Sequence, residues 1–322
     1  MKAAVLGCSM FAAASWAYVR HVQLPIGPKR SDWGPLVIGH RGCRFVKGVP
    51  ENTLDAFEYA RVNGADGIEC DVRMSRDDVP IIHHDAEAGL LFEDTDLKGA
   101  INDLDLITIK RLRFKESDVA QVPTLEETIL FCRENQLKLL IEIKETKKTR
   151  KCMQKINDLY KRYPDYMYTN TICMCFYPQP LYYLREANPK AATGMLHLDF
   201  ERSVEVQSSI PPILKKYPPL AWSMSFLMTK VAPWVLGCTA MGPHYVLFNE
   251  EYRSKWIRRH MTCLVWGVTK ENFSPSMLKP GVCVICDDDF DAFRAPKEQP
   301  TYASVFPDAP SVAQHRLPTS SK

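Results

Sequence analysis

Three short motifs hold residues able to act on a phosphate ester: His40-Arg41-Gly42, Glu69-Cys70-Asp71 and His84-Asp85. An imidazole titrates near neutral pH and can take or give a proton. A guanidinium grips phosphate oxygens in pairs, and carboxylates hold hard divalent cations. Two histidines, an arginine and two carboxylates within residues 40–85 therefore supply an acid/base pair, a phosphate clamp and metal ligands. Those are the parts that cleave a phosphodiester.

Such groups need strands to aim them. Short apolar, β-branched runs occur at 36–39, 67–72, 79–83, 138–143, 171–176, 192–197, 244–248, 262–268 and 282–286. Helical patterns lie between most of them, among them 51–63, 124–135 and 149–162. Continuous apolar strands separated by amphipathic helices imply a parallel sheet covered on both faces. Nine candidates exceed the eight of a closed barrel. Residues 72 and 79 are too near for a parallel crossover, which needs about a dozen residues, so 79–83 returns antiparallel. The expectation is an α/β fold, a (β/α)8 TIM barrel over 36–290 with a β-hairpin excursion after strand 2.

On that frame Glu69 and Asp71, two apart on a strand, point to one face, and Cys70 points to the other. Glu142 and Lys144 in Ile141-Glu142-Ile143-Lys144 repeat the geometry on the next barrel strand. Three convergent carboxylates form an oxygen site for Mg2+ or Ca2+. The competing reading is a structural ion network with Arg41 and Lys144. His40 ends the first strand, Arg41 stands at the mouth, and Gly42 permits close backbone approach. The hairpin brings back His84, with Asp85 to orient it or start a turn, while His83 alternates away. In Pro50-Glu51-Asn52-Thr53, Asn52 has the character of a helix cap, and Glu51 can face a substrate hydroxyl or support another side chain.

The rest of the chain bounds the partners. Of 322 residues, 46% are hydrophobic and 25% charged, which suits a globular protein with a substantial core. A net charge of +3 with scattered Lys and Arg argues against nucleic acid. An apolar run from Ala3 to Val19 predicts a membrane anchor or signal segment over 1–20, hence a membrane partner at the endoplasmic reticulum or plasma membrane. Residues 219–249 form an apolar insert, interrupted by Lys230 and Pro233, that suits an interfacial cap or a buried helix. Pro-, Ser- and Thr-rich residues 296–322 predict a disordered tail. Of eleven cysteines, Cys173, Cys175, Cys263, Cys283 and Cys286 fall in strand-like runs and suit buried thiols, and Cys283-Val-Ile-Cys286 lacks a second pair at zinc spacing.

Together the motifs resemble the glycerophosphodiester phosphodiesterase family. His40-Arg41-Gly42, Pro50-Glu51-Asn52-Thr53, Glu69-Cys70-Asp71-Val72 and the Val79 to His84-Asp85 element stand in the family's order. The likeness runs on through Ile141–Lys144 and Val265-Trp266-Gly267-Val268 to Cys286-Asp287, where the family usually has Thr-Asp. Within it, the insert and the N-terminus look most similar to animal membrane members acting on glycerophosphoinositol. The resemblance implies a TIM barrel and metal-dependent hydrolysis of small-molecule glycerophosphodiesters to glycerol 3-phosphate and an alcohol. It implies His40 and His84 as the acid/base pair, Glu69, Asp71 and Glu142 on the metal, and Arg41 and Lys144 on phosphate. The alternative activity is that of a lysophospholipase D, with the apolar insert taking an acyl chain. An inactive membrane scaffold is the third reading, and no site residue is missing to support it.

Overall fold

Strand β1 (Leu36–Gly39) lies between β2 (Gly67–Met74) and the last strand, β9 (Val282–Cys286), parallel to both. Ile38 pairs with Gly67 on one side and Ile285 on the other, and that double pairing closes the sheet. Going round from β2, the barrel continues through β4 (Lys138–Ile143), β5 (Thr171–Cys175), β6 (Thr193–His197), β7 (Ala240–Pro243) and β8 (Thr262–Val268) to β9. Between β2 and β4 in the chain, β3 (Pro80–Ile82) turns back antiparallel on the upper end of β2, with Val72 opposite Ile82. The sheet is thus eight parallel strands and the expected hairpin. The computed structural model describes residues 23–29, 33–89, 91–93, 99–197, 216–287 and 290, so the segment 1–20 and the tail 296–322 lie outside the described residues.

Alternation along the strands sorts side chains into two cores. Ile38, Leu140, Ile172, Leu264 and Ile285 fill the barrel interior above a fully buried Trp33. Ile68, Cys70, Val72, Leu139, Ile141 and Ile143 face outward into the helical layer. Glu69, Asp71 and Glu142 must therefore point inward, and Cys70 does not. The outer layer includes α1 (Leu54–Val62), α2 (Leu125–Glu134) and α3 (Thr149–Arg162). Thr53 caps α1 by accepting the Ala56 amide, and Thr124 with Glu127 forms a reciprocal capping box on α2.

Strand β7, the sixth of the barrel, departs from the sequence expectation. It is Ala240–Pro243, not 244–248, where His244 leads into a 3-10 turn at Tyr245–Leu247. Tyr-Val-Leu-Phe has the stronger β propensity, but tertiary packing overrides it. A Cβ on Gly242 would lie 2.3 Å from the end of the Leu196 side chain, so this strand packs closely against β6. The range 219–249 holds the helices leading towards β7, β7 itself and the 3-10 turn after it. Those helices are Pro218–Phe226, a π-helical stretch Leu227–Val231 and Ala232–Val235. No described helix is long and apolar enough to cross a membrane. The ten described cysteines are all buried. Cys283 faces the barrel interior and Cys286 the outer core, so the C-x-x-C pair shares no site.

Candidate active site

The turn after β1 is built by two glycines. A Cβ on Gly39 would meet the Gly42 carbonyl oxygen at 2.2 Å, and one on Gly42 would lie 2.7 Å from the Ala56 backbone. Arg41 and Gly42 both take left-handed backbone, at φ 52 and φ 79. The His40 amide donates to the Cys286 carbonyl at 2.9 Å, tying the end of β1 to the end of β9. The imidazole of His40 is thereby fixed over the mouth. Its Nδ1 contacts Asp287 Oδ1, and its Nε2 is 3.8 Å from Glu69 Oε2.

Beneath it sit the inward carboxylates. Oxygens of Glu69, Asp71 and Glu142 lie within 4.8 Å of one another, and all three residues are buried. Two cations share the space. Lys144 Nζ is 2.5 Å from Glu142 Oε1 and 3.6 Å from Asp71 Oδ1. Arg41 Nε is 3.3 Å from Asp71 Oδ2, and its NH1 donates to Glu51 Oε1 at 2.7 Å. Burial alone would push the Asp71 carboxyl up, but Lys144 and Arg41 outweigh it and hold Asp71 below the carboxylate range. Glu69 goes the other way: burial, then Asp71 and Glu142, push it well above that range.

The same residues thus form an ion network and an acidic cluster of the kind that can hold a metal ion, and charge decides what they lack. Four carboxylates (Glu51, Glu69, Asp71, Glu142) share two cations (Arg41, Lys144), so Asp71 is compensated while Glu69 is pushed towards its neutral form for want of a further cation. Buried Glu69 Oε1 and Asp71 Oδ1 also have no hydrogen-bond donor. Uncompensated buried charge and orphaned acceptors are costly. An oxygen-preferring dication fits both deficits.

The hairpin delivers the second imidazole. The His83 amide donates to the Asp71 carbonyl at 2.9 Å, extending the β2–β3 ladder by one residue. Alternation then buries His83 against Phe92, at 5.6 Å between rings, and turns the half-buried His84 to the mouth. His84 Nδ1 is 2.8 Å from Asp85 Oδ1. Arg73, next on the inward face of β2, locks this arrangement: its Nε and NH2 donate to the His84 carbonyl at 2.9 and 2.7 Å, and NH1 donates to the Lys144 carbonyl at 3.1 Å.

His40, Arg41, Glu69, His84, Glu142 and Lys144 all line one cavity of about 500 Å³. Asp71 lies beneath it, and Glu51 braces Arg41 from behind. The opposite wall is apolar and aromatic, including Phe176 and Trp266, whose rings meet edge-on at 5.5 Å. The sequence matches the glycerophosphoryl diester phosphodiesterase family over residues 40–292. The chain belongs to that family.

Its relatives include glycerophosphodiester phosphodiesterase 1 of Mus musculus, 26% identical over 249 residues that make up 72% of this chain and 71% of the relative. A glycerophosphodiester phosphodiesterase of Caldanaerobacter subterraneus is 27% identical over 267 residues, 79% of this chain and 94% of that one. Among solved structures, an Oleispira antarctica phosphodiesterase in complex with its product sn-glycerol-3-phosphate superposes with a TM-score of 0.62 at 19% identity, covering 82% of this chain and 98% of that one.

Three further residues support the site in ways that their motifs alone do not reveal. Asn52 is not the cap of α1. It sits at φ 58, and its side chain donates to Asp71 Oδ2 at 2.9 Å while accepting the Asp71 amide at 3.2 Å. Asp287 holds His40, and Arg73 holds the His84 loop. Arg73 could have been found by extending the Glu69–Asp71 alternation one more step. Asp287 stands in the Cys286-Asp287 element of the family likeness, but its hold on His40, 247 positions away, is set by the fold.

Proposed function

We propose that this cavity hydrolyses glycerophosphodiesters, such as glycerophosphoinositol, to glycerol 3-phosphate and an alcohol. One observation carries the reading: two buried carboxylates, Glu69 and Asp71, each with an oxygen lacking a donor, lie beside two imidazoles that are each held at Nδ1 by an aspartate and face one cavity. Glu69, Asp71 and Glu142 would hold a divalent ion, Mg2+ or Ca2+, which when bound neutralises phosphate charge and lowers the pKa of an attacking hydroxyl.

The remaining work belongs to the chain. Arg41, fixed by Glu51 and Asp71, meets the phosphate without a long side chain to order. Lys144 adds a second cation from the next strand. With Nδ1 of each histidine committed to a carboxylate, Nε2 is the atom that exchanges a proton. One Nε2 accepts the proton of the attacking hydroxyl, either water or the glycerol 2-hydroxyl, and the other protonates the leaving alkoxide. The Oleispira phosphodiesterase with its bound sn-glycerol-3-phosphate supports a small-molecule substrate of this kind.

A second reading, a lysophospholipase D acting on lysophospholipids or N-acyl-ethanolamine precursors, draws on the apolar wall of Met174, Phe176, Leu196 and Trp266. Of the range 219–249, His244 and Tyr245 line that cavity, while none of its described helical residues 219–235 does. Release of glycerol 3-phosphate from glycerophosphoinositol, glycerophosphocholine and glycerophosphoethanolamine, with their lyso forms alongside and Mg2+, Ca2+ or EDTA added, tests both. The first reading expects faster turnover of the deacylated compounds with metal. Faster turnover of acylated substrates would replace it with the second.

A further inference from the structure

At the far end of the barrel from the mouth, another cavity, of about 510 Å³, opens between the helical stretch 218–235 and the helix Glu250–Ile257. Gly237 and Met261 in its wall lie just before β7 and β8, which fixes it at the N-terminal end of the strands. Three cations converge there, Lys230, Lys255 and Arg259, between Trp234 and Trp256, and no described carboxylate lines it. Lys255 Nζ stands 4.9 Å from the centre of the Trp256 ring and the Arg259 guanidinium 5.4 Å from it. Partial burial and then Lys230 lower the Lys255 ammonium to about 8, with Glu251 only partly offsetting them. Crowded cations of this kind favour an anion.

The surroundings are apolar and face solvent. Trp234 is 37% exposed, Trp222 65% and Ile26 80%. The chain's N-terminal stretch is pinned to this rim: the Leu24 amide donates to the Val235 carbonyl and the Gly27 amide to the Gly237 carbonyl, both at 2.8 Å. The apolar run Ala3–Val19 immediately precedes it in the sequence.

We propose that this end of the barrel seats on an anionic phospholipid bilayer, with a lipid phosphate among Lys230, Lys255 and Arg259 and Trp234 and Ile26 in the interfacial layer. Tryptophan favours that layer, and basic side chains near it bind anionic lipid. An acidic protein would match the cations but not the neighbouring exposed tryptophans and the apolar run. The catalytic mouth then opens away from lipid, towards water-borne substrate. The proposal uses none of the catalytic residues and stands or falls apart from them.

The test is co-sedimentation of the full chain with vesicles of phosphatidylcholine alone or with added phosphatidylserine, at low and high salt. The apolar run can hold every variant on both vesicles, so the readout is the increment from phosphatidylserine. Wild type gains partitioning with phosphatidylserine and loses the gain in high salt. Lys230→Gln/Lys255→Gln/Arg259→Gln loses about a hundredfold of it, at roughly fivefold per cation, and exposed Arg259→Gln alone loses about fivefold. Turnover of a soluble glycerophosphodiester by both variants stays at the wild-type level, which verifies the fold. An equal phosphatidylserine increment in wild type and triple variant overturns the proposal. So does binding to soluble polyglutamate with no response to phosphatidylserine.

Discussion

Replacing Glu69 with glutamine separates the charge of the carboxylate cluster from its shape. Glu69, Asp71 and Glu142 bring oxygens within 4.8 Å of one another. At that distance two ionised carboxylates would repel by about 3.5 kcal/mol for an effective dielectric constant of about 20, and Glu69, facing two such neighbours, is pushed towards its neutral form. Glutamine keeps an oxygen to accept the Arg41 amide, which Glu69 Oε2 now does at 2.9 Å. It matches the neutral carboxyl in charge and shape, so the chelated variant should be no less stable than chelated wild type. With a dication at about a hundred times its dissociation constant, wild type gains about 2.7 kcal/mol. That gain corresponds to a rise of roughly 5–10 °C in melting temperature. The variant, with two carboxylates left to hold the ion, should gain under about 1 kcal/mol. Thermal unfolding by circular dichroism, in EDTA and in Mg2+, reads all four states. Equal rises in the two proteins would refute the reasoning, as would a chelated variant more than about 2 kcal/mol below chelated wild type.

Two further predictions reach the supports of the site. Burial lowers the His83 imidazole from 6.5 to about 4. The folded chain refuses a proton that the unfolded chain accepts, so this contribution is full above 6.5 and is lost as pH falls to about 4. Up to about 3 kcal/mol is at stake, and His83→Phe should flatten that part of the urea-unfolding profile; an unchanged pH dependence counts against it. Asp287→Asn removes the anion on His40 Nδ1 while keeping the side-chain shape, and kcat should fall about 10–100-fold with little change in KM. A matching loss confined to KM would mean that Asp287 serves binding and not His40.

Much of this site was legible in the chain because strand alternation is a local rule. The parity of Glu69 and Asp71, its repetition at Glu142, the hairpin that selects His84 over His83, and the buried strand thiols all follow from two-residue periodicity and the minimum length of a parallel crossover. What escaped depends on contacts between distant residues. Ala240-Met241-Gly242-Pro243 has a weak strand signal, holding Gly and Pro, yet it pairs with the strands on both sides. Asn52 carries the composition of a cap, yet its side chain is drawn to Asp71, and Thr53 caps the helix instead. Residues 219–249 resemble an insert on hydrophobicity alone, since a helix covering the outside of a barrel and a lipid-facing segment share that signal.

The central claim is metal-assisted hydrolysis by two imidazoles at one barrel mouth. Steady-state hydrolysis of glycerophosphoinositol by wild type, His40→Ala and His84→Ala, each with Mg2+ and with EDTA, tests it most directly. The account predicts a loss of about 10²–10⁴ for either histidine variant, together with abolition by EDTA and recovery when Mg2+ is restored to wild type. Turnover that survives both chelation and His40→Ala would contradict it.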